Sequence, residues 1–121
     1  MSTFTPVILS GSPGQGRGIK VVATASTGTT IHATGTSSST VDEVWLYAYN
    51  TDTVERKLTI EFGGTTSPDD TIELSIPQEA GLVCVVPGLR LTGTGAAAKT
   101  ITAFCSAASV VCINGYVNRI T

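Results

Sequence analysis

The amino-acid sequence predicts one all-β domain, an antiparallel β-sandwich of eight or nine strands with an extended N-terminal arm. Short apolar runs recur about every ten residues, and each closes on Gly, Pro, Asn, Asp or Ser, a spacing typical of sandwiches and barrels. The chain is rich in serine and threonine and has 13 glycines, a composition that suits strands and turns and disfavours helix interiors. A chain of 121 residues has room for one such domain.

The candidate strands share an apolar run bounded by turn residues. In chain order they are residues 19–23, 29–33, 41–50, 56–62, 71–76, 82–86, 89–92, 99–105 and 110–120, with Gly115 as a potential break in the last. No helical pattern separates them, and this favours antiparallel pairing.

Two neighbouring runs, residues 56–62 and 71–76, alternate apolar with polar residues. Because successive side chains of a strand point to opposite faces, each run is predicted to bury one face and to solvate the other. We expect Thr59 and Glu61 on the solvated face. The two runs are predicted to pair as a hairpin through a polar loop at residues 63–70.

Residues 41–50 differ, because both faces of this run are apolar, with Trp45, Tyr47 and Tyr49 on one face and smaller aliphatic residues on the other. A central strand of a two-layer sandwich has one inner face, so the second apolar face requires cover. Another subunit is the expected cover, and a loop or arm of the same chain is the alternative. The three aromatic residues are therefore predicted to fill a core or an interface.

Residues 1–18 are predicted to form an N-terminal arm that ends in a Gly-rich linker, and residues 19–121 to form the sandwich. A Gly-rich tether is flexible, so an apolar tip can reach a neighbouring molecule. The alternative is an ordinary first strand followed by a loose loop. The predicted anchor residues of the arm are Phe4, Val7, Ile8 and Leu9.

Charged residues make up only 13% of the chain, a low fraction that favours a protein packed against others. The net charge is −2 and the seven basic residues are scattered, so we expect no nucleic-acid partner. The first residues carry neither a basic region followed by an apolar segment nor a long apolar run. We therefore expect folding in a cytoplasm and no membrane partner.

Few residues are candidates for chemistry. His32 is the only histidine, and we expect it to be solvated or hydrogen-bonded rather than a catalytic base. The acidic pair Asp69 and Asp70 lies in a loop; calcium binding there is the alternative to two solvated turn residues. The glycines of residues 11–18 lack the Gly-Lys-Ser/Thr ending of a phosphate-binding loop. We expect no enzyme activity, no metal site and no cofactor.

The chain has three cysteines, Cys84, Cys105 and Cys112, inside or beside apolar runs. They are predicted to be free, small and buried among apolar residues, as in a reducing compartment. A bridge between Cys105 and Cys112 is left open. A zinc site is not expected, because no pair of cysteines has the short spacing of zinc ligands.

Residues 42–50, 58–64, 86–89 and 115–120 give the chain a pattern that resembles small structural proteins of tailed bacteriophages, in particular capsid decoration or cement proteins. The resemblance covers about residues 40 to 121. It implies a jelly-roll-like β domain, often trimeric, that sits on the outside of a phage head and bridges capsomers. It carries no catalytic residue.

The expected function is that of a phage virion structural protein that decorates or cements the capsid shell as a homo-oligomer, with a trimer favoured. The expected partners are other copies of the chain and the major capsid protein or another virion protein, on the capsid exterior. One alternative is another virion part, such as a head spike base or a tail component. The other is a carbohydrate-binding jelly-roll module, which would require an exposed aromatic face.

Overall fold

The fold is that of a β-sandwich. The computed structural model describes residues 2–121, and within that part of the chain it contains nine β-strands and no helix. The strands are β1 (Phe4–Ile8), β2 (Ile19–Lys20), β3 (Thr29–Ala33), β4 (Val41–Asn50), β5 (Arg56–Phe62), β6 (Thr71–Ile76), β7 (Val83–Thr92), β8 (Thr100–Cys105) and β9 (Val111–Ile120). The predicted all-β class is confirmed. Met1 of the predicted arm lies outside the described residues.

All strands pair antiparallel, in two sheets. Sheet A has the order β1-β9-β4-β7, and β2 also pairs with β9; sheet B has the order β3-β8-β5-β6. From β2 to β5, and again from β6 to β9, successive strands change sheet. β5 and β6 stay in sheet B and pair with each other, so the predicted hairpin is confirmed.

The core lies between the sheets and is built from alternate residues of each strand. In β4, Val44, Leu46 and Ala48 point inward and are fully buried. Leu58 and Ile60 of β5 meet them from sheet B in the same hydrophobic cluster. At about 25 cal/mol per Å² of apolar surface removed from water, this burial is the main force that holds the two sheets together.

The predicted solvated face of β5 is wrong at Thr59 and Glu61, which are buried. The loop before β3 reaches the outer face of sheet B, where the Ser26 hydroxyl and the Gly28 backbone N–H donate to the Glu61 carboxylate. The Thr102 hydroxyl donates to Glu61 as well, at 2.7 Å. The loop thus buries a charged residue and supplies the hydrogen bonds that such burial requires.

Two predicted strand breaks are absent because of glycine. Residues 82–86 and 89–92 were predicted as separate strands, but β7 continues through Gly88, the extra residue at a register shift opposite β4, with φ of +80°. β9 likewise passes through Gly115. A Cβ at Gly115 would lie 2.0 Å from the carbonyl oxygen of Trp45, so only glycine allows β4 and β9 to approach there.

The N-terminal segment lies along the edge of its own sheet. β1 pairs with β9 from Phe4 opposite Ile120 to Ile8 opposite Tyr116. After β1, Leu9 enters the core with 4% of its surface exposed. Within the single chain the segment is therefore a first strand, the alternative considered for the arm. Its contact with a neighbouring molecule stays a prediction.

Candidate functional site

A row of apolar residues crosses the outer face of sheet A. The strand register places Ile8 of β1 opposite Tyr116 of β9, Tyr116 opposite Trp45 of β4, and Trp45 opposite Pro87 of β7. Directly opposed residues of neighbouring strands share a face and touch. We call these four residues the apolar row.

The apolar row is open to solvent. Ile8 is 53% exposed and Tyr116 is 42% exposed, so no segment of residues 2–121 covers them. A shorter row of Phe4, Ile120 and Val41 lies further along the same face, and the row of Pro6, Asn118 and Glu43 separates the two. Phe4 is 58% exposed. Contiguous exposed apolar surface of this kind marks interaction sites more often than isolated exposed residues do.

The aromatic centre of the row is held in a defined geometry. The rings of Trp45 and Tyr116 stack with centroids 6.3 Å apart and an interplanar angle of 14°. Gly88 leaves the space for the indole, because a Cβ there would lie 2.8 Å from the Trp45 ring. The indole Nε1 donates a hydrogen bond to Glu43 Oε1 at 3.0 Å. Trp45 is thus ordered by contacts within the chain.

The charges beside the row neutralise each other. Glu43 lies next to Trp45 on the outer face and pairs with Arg90 of β7 at 3.2 Å. Hydrogen bonds from the Trp45 indole and the Asn118 amide, with a smaller contribution from Arg90, hold the pKa of Glu43 below its usual range. Glu43 and Arg90 therefore form an ion pair of zero net charge beside the row.

The other predicted aromatic residues continue along the same face. Tyr47 is opposite Asn114 and Tyr49 is opposite Cys112, and both tyrosines are half-buried. The structure thus places Trp45, Tyr47 and Tyr49 on the outer face of sheet A, outside the core. Their role in an interface stays a prediction.

The four predicted anchor residues of the N-terminal segment point in different directions. Phe4 and Ile8 face outward with the apolar row, whereas Val7 is opposite the buried Val117 and packs on the core. Leu9 is buried in the core of its own chain. Any anchor on a neighbouring molecule would therefore consist of Phe4 and Ile8.

A buried polar cluster lies between the sheets. His32 Nε2 lies 2.8 Å from Asp42 Oδ2, and Arg119 donates to both Asp42 oxygens at 2.8 and 2.9 Å. The backbone N–H of Ser10 donates to His32 Nδ1, so Nε2 carries the imidazole proton and donates to Asp42. Burial opposes ionisation of Asp42, but the hydrogen bonds from Arg119 and His32 outweigh it and lower its pKa.

This cluster contains Ser, His and Asp, but its hydrogen bonds are structural, and none of them joins the serine hydroxyl to the imidazole. Ser10 reaches the imidazole through its backbone, while its hydroxyl accepts a hydrogen bond from the Ala33 N–H. Both ring nitrogens of His32 are engaged, as expected for a hydrogen-bonded histidine. The cluster ties the segment after β1 to β3, β4 and β9.

The cysteines are all free, so the bridge between Cys105 and Cys112 that the sequence left open is absent. The predicted burial is confirmed for Cys105 and is wrong for Cys84, which is exposed, and for Cys112, which is half-buried. Cys105 is buried in sheet B, whereas Cys112 is opposite Tyr49 on the outer face of sheet A. In residues 2–121 no group of three or more His, Cys, Asp or Glu side chains is placed to hold a metal ion. The same residues contain no helix that could cross a membrane.

Several residues of the two apolar rows were missed by sequence analysis, namely Tyr116, Pro87, Ile120 and Val41. Tyr116 alternates with the buried Val117, a local signal for an outward position. Its contact with Trp45 depends on the pairing of β4 with β9, and no local pattern specifies that register.

Comparisons with protein-family models, with curated proteins and with solved structures find no significant match for this chain.

Proposed function

We propose that this protein is a structural subunit that associates with copies of itself through the outer face of sheet A and coats a phage capsid. The observation that carries the proposal is the solvent-exposed apolar row of Ile8, Tyr116, Trp45 and Pro87. A preformed aromatic pair at its centre favours association, because little side-chain freedom is lost when a partner covers it.

The charge distribution favours a second copy of the chain as the occupant of this face. Because Glu43 and Arg90 already pair within one molecule, this face can pack against another copy of the chain without an unpaired charge that would repel it. A strongly acidic or basic partner would gain little electrostatic binding energy at this face. Closed symmetry, as in the trimer that we propose, limits the assembly to a defined number of copies.

The strand order supports the finer fold assignment. We infer a jelly roll, because strands early in the chain pair with strands late in the chain, β2 with β9 and β3 with β8, in each of the two sheets. Jelly rolls are common in viral coats, but a fold alone does not decide a function.

The virion role is supported by the sequence resemblance to phage decoration and cement proteins. We accordingly propose the major capsid protein or another virion protein as the second partner, and the capsid exterior as the location after folding in the host cytoplasm. Many copies, each with a modest contact, would stabilise a shell through multivalency. We propose a non-catalytic role, because His32 uses both ring nitrogens for structural hydrogen bonds.

The test is the mass of the protein in solution, measured by light scattering after size exclusion over a range of concentrations. We expect a trimer for the natural sequence and a shift toward monomer for Ile8→Asp, which places a charge in the apolar row. Val54→Asp is the matched control, since Val54 is similarly exposed, at 48%, in the loop after β4. A natural protein that stays monomeric, or equal dissociation by both variants, would contradict the proposal.

A further inference from the structure

A shallow cleft lies at the end of sheet A where β4 ends and β7 begins. Its volume is about 580 Å³. One wall is formed by Tyr49 of β4 and Asn114 of β9, and the other by Glu79, Gly81 and Leu82 of the loop between β6 and β7. The backbone N–H of Glu79 donates to the carbonyl of Asn50, which fixes the loop against the end of β4.

Two polar side chains of the cleft, Asn114 and Glu79, are uncommitted, whereas the Asn50 and Thr51 side chains that also line it donate hydrogen bonds within the chain. Within residues 2–121, neither the Asn114 amide nor the Glu79 carboxylate forms a side-chain hydrogen bond or an ion pair. The amide offers two donors and an acceptor, and the ionised carboxylate offers acceptors only. The two walls therefore present donors and acceptors to one ligand.

The apolar surface of the cleft comes from the ring of Tyr49 and the exposed side chain of Leu82. Tyr49 is opposite Cys112 of β9, and the neighbouring thiol together with burial raises the pKa of the Tyr49 hydroxyl. Gly18 packs beside it, since a Cβ there would lie 3.1 Å from the Tyr49 hydroxyl. Leu82 is 61% exposed at the other wall.

The chemistry of the lining selects a class of ligand. No Lys or Arg side chain lines the cleft within residues 2–121, and Glu79 carries a negative charge, so phosphates and carboxylates are disfavoured. An aromatic ring with a leucine suits the C–H face of a sugar, while an amide and a carboxylate suit its hydroxyl groups. We propose that the cleft between Tyr49, Asn114, Glu79 and Leu82 binds a neutral saccharide.

The cleft is separate from the apolar row. Tyr49 follows Trp45 by four residues along β4, a distance of about 13 Å at about 3.3 Å per strand residue. A saccharide can therefore occupy the cleft while another molecule covers Trp45 and Ile8. The proposal does not depend on self-association.

The test is a titration of ¹⁵N-labelled protein, followed by NMR, with the methyl glycosides of glucose, galactose, mannose and N-acetylglucosamine. We expect saturable shifts of the Asn114 side-chain amide and of the Gly81 and Leu82 backbone amides with at least one sugar. The expected Kd is in the millimolar range, at about 1–10 mM, since a small ligand in an open cleft buries few atoms. Asn114→Ala should weaken binding by about tenfold, the usual effect of one lost hydrogen bond. Glu79→Gln should weaken binding as well, because the neutral amide oxygen is a weaker acceptor than the carboxylate.

Asn118→Ala is the matched control, because Asn118 lies on the same face of β9 at the other end of the strand. It should bind sugar as the natural protein does. The amide spectrum shows in the same experiment whether each variant is folded, and Glu79→Gln changes an exposed loop residue that the core does not need. The absence of saturable shifts with all four sugars would overturn the proposal. Saturable shifts with tetramethylammonium and with none of the sugars would also overturn the proposal, because the cleft would then be a cation site.

Discussion

Trp45 and Tyr116 stack on the solvent side of sheet A, although they are separated by most of the domain in sequence. Their ring centroids lie 6.3 Å apart across β4 and β9. An aromatic pair of this kind contributes about 0.5–1.5 kcal/mol beyond the burial of its area. The pair therefore stabilises the contact between two central strands and also forms the centre of the surface proposed for association.

Tyr116→Ala should remove this stacking and expose the indole. We expect a loss of about 0.5–1.5 kcal/mol in the free energy of unfolding. We also expect a red shift of tryptophan emission, which reports on one site because the chain has a single tryptophan. Urea unfolding and emission spectra measure the two effects. Val54→Ala, in the loop after β4, should change neither, and an unchanged emission in Tyr116→Ala would show that the ring does not shield Trp45.

Asp42 and Glu43 are neighbours in sequence on opposite faces of β4, and this makes them a matched pair. Asp42→Ala removes the buried partner of His32 and Arg119, so we expect a loss of about 3–5 kcal/mol in the free energy of unfolding. Glu43→Ala removes the hydrogen bonds from Trp45 and Asn118 and the ion pair with Arg90, all on the solvent side of the sheet, and should cost much less than Asp42→Ala. Chemical denaturation of both variants checks the difference. Equal costs would mean that the buried cluster does not stabilise the fold.

Stability should fall in acid because of two buried carboxylates. The pKa of Asp42 lies below its ordinary value of 3.8, because hydrogen bonds from Arg119 and His32 outweigh the effect of burial. The pKa of Glu61 lies below its ordinary value of 4.5, because hydrogen bonds from Ser26, Thr102 and Gly28 outweigh the effect of burial. A carboxylate with a lowered pKa in the folded state contributes fully above its unfolded-state pKa. That contribution is lost as the pH falls through the folded-state pKa.

We therefore expect the urea midpoint to be insensitive to these two groups near neutral pH and to decrease as the pH falls below about 4.5, the ordinary value for Glu61. Urea unfolding at a series of pH values measures this decrease. Asp42→Asn and Glu61→Gln should each be less stable at neutral pH and should show a smaller decrease in acid. A decrease of the same size in both variants as in the natural protein would assign it to other groups.

Gly115→Ala should destabilise the domain strongly, because a Cβ would meet the carbonyl oxygen of Trp45 at 2.0 Å and φ is +155°. The expected loss is more than about 2 kcal/mol, since either the strands separate or the backbone is strained. Gly35→Ala is the control, because a Cβ added there would meet no atom within 4 Å and its φ is not in the left-handed region. Thermal unfolding compares the two. A stable Gly115→Ala variant would show that β4 and β9 can separate locally at little cost.

The strands were predictable where local pattern and boundary residues agree. Val41–Asn50 and Arg56–Phe62 have the predicted bounds, because alternation and turn residues specify them locally. The buried state of Glu61 was not predictable, since it depends on where the polar loop containing Ser26 lies in three dimensions. Nothing in the composition of that loop distinguishes it from a solvated one.

Local alternation also predicts part of the candidate site, the residues that β4 contributes to it. Alternation along β4 places Trp45, Tyr47 and Tyr49 on a common face, as predicted. Pro87 joins that face at Trp45 only because Gly88 is the extra residue at the register shift of β7. Such a shift, like the pairing of Trp45 with Tyr116, is a property of two strands together.

The pairing of early with late strands has a consequence for how the domain reaches its folded state. β2 and β3 find their partners in β9 and β8, so those pairs close long loops before they gain their contacts. Among the paired strands of residues 2–121, only β5 and β6 are consecutive in the chain, which makes this hairpin the natural local nucleus. Chains of such high contact order fold in about milliseconds to seconds. During synthesis, the two central strands of sheet A can pair only after the last ten-residue strand has left the ribosome.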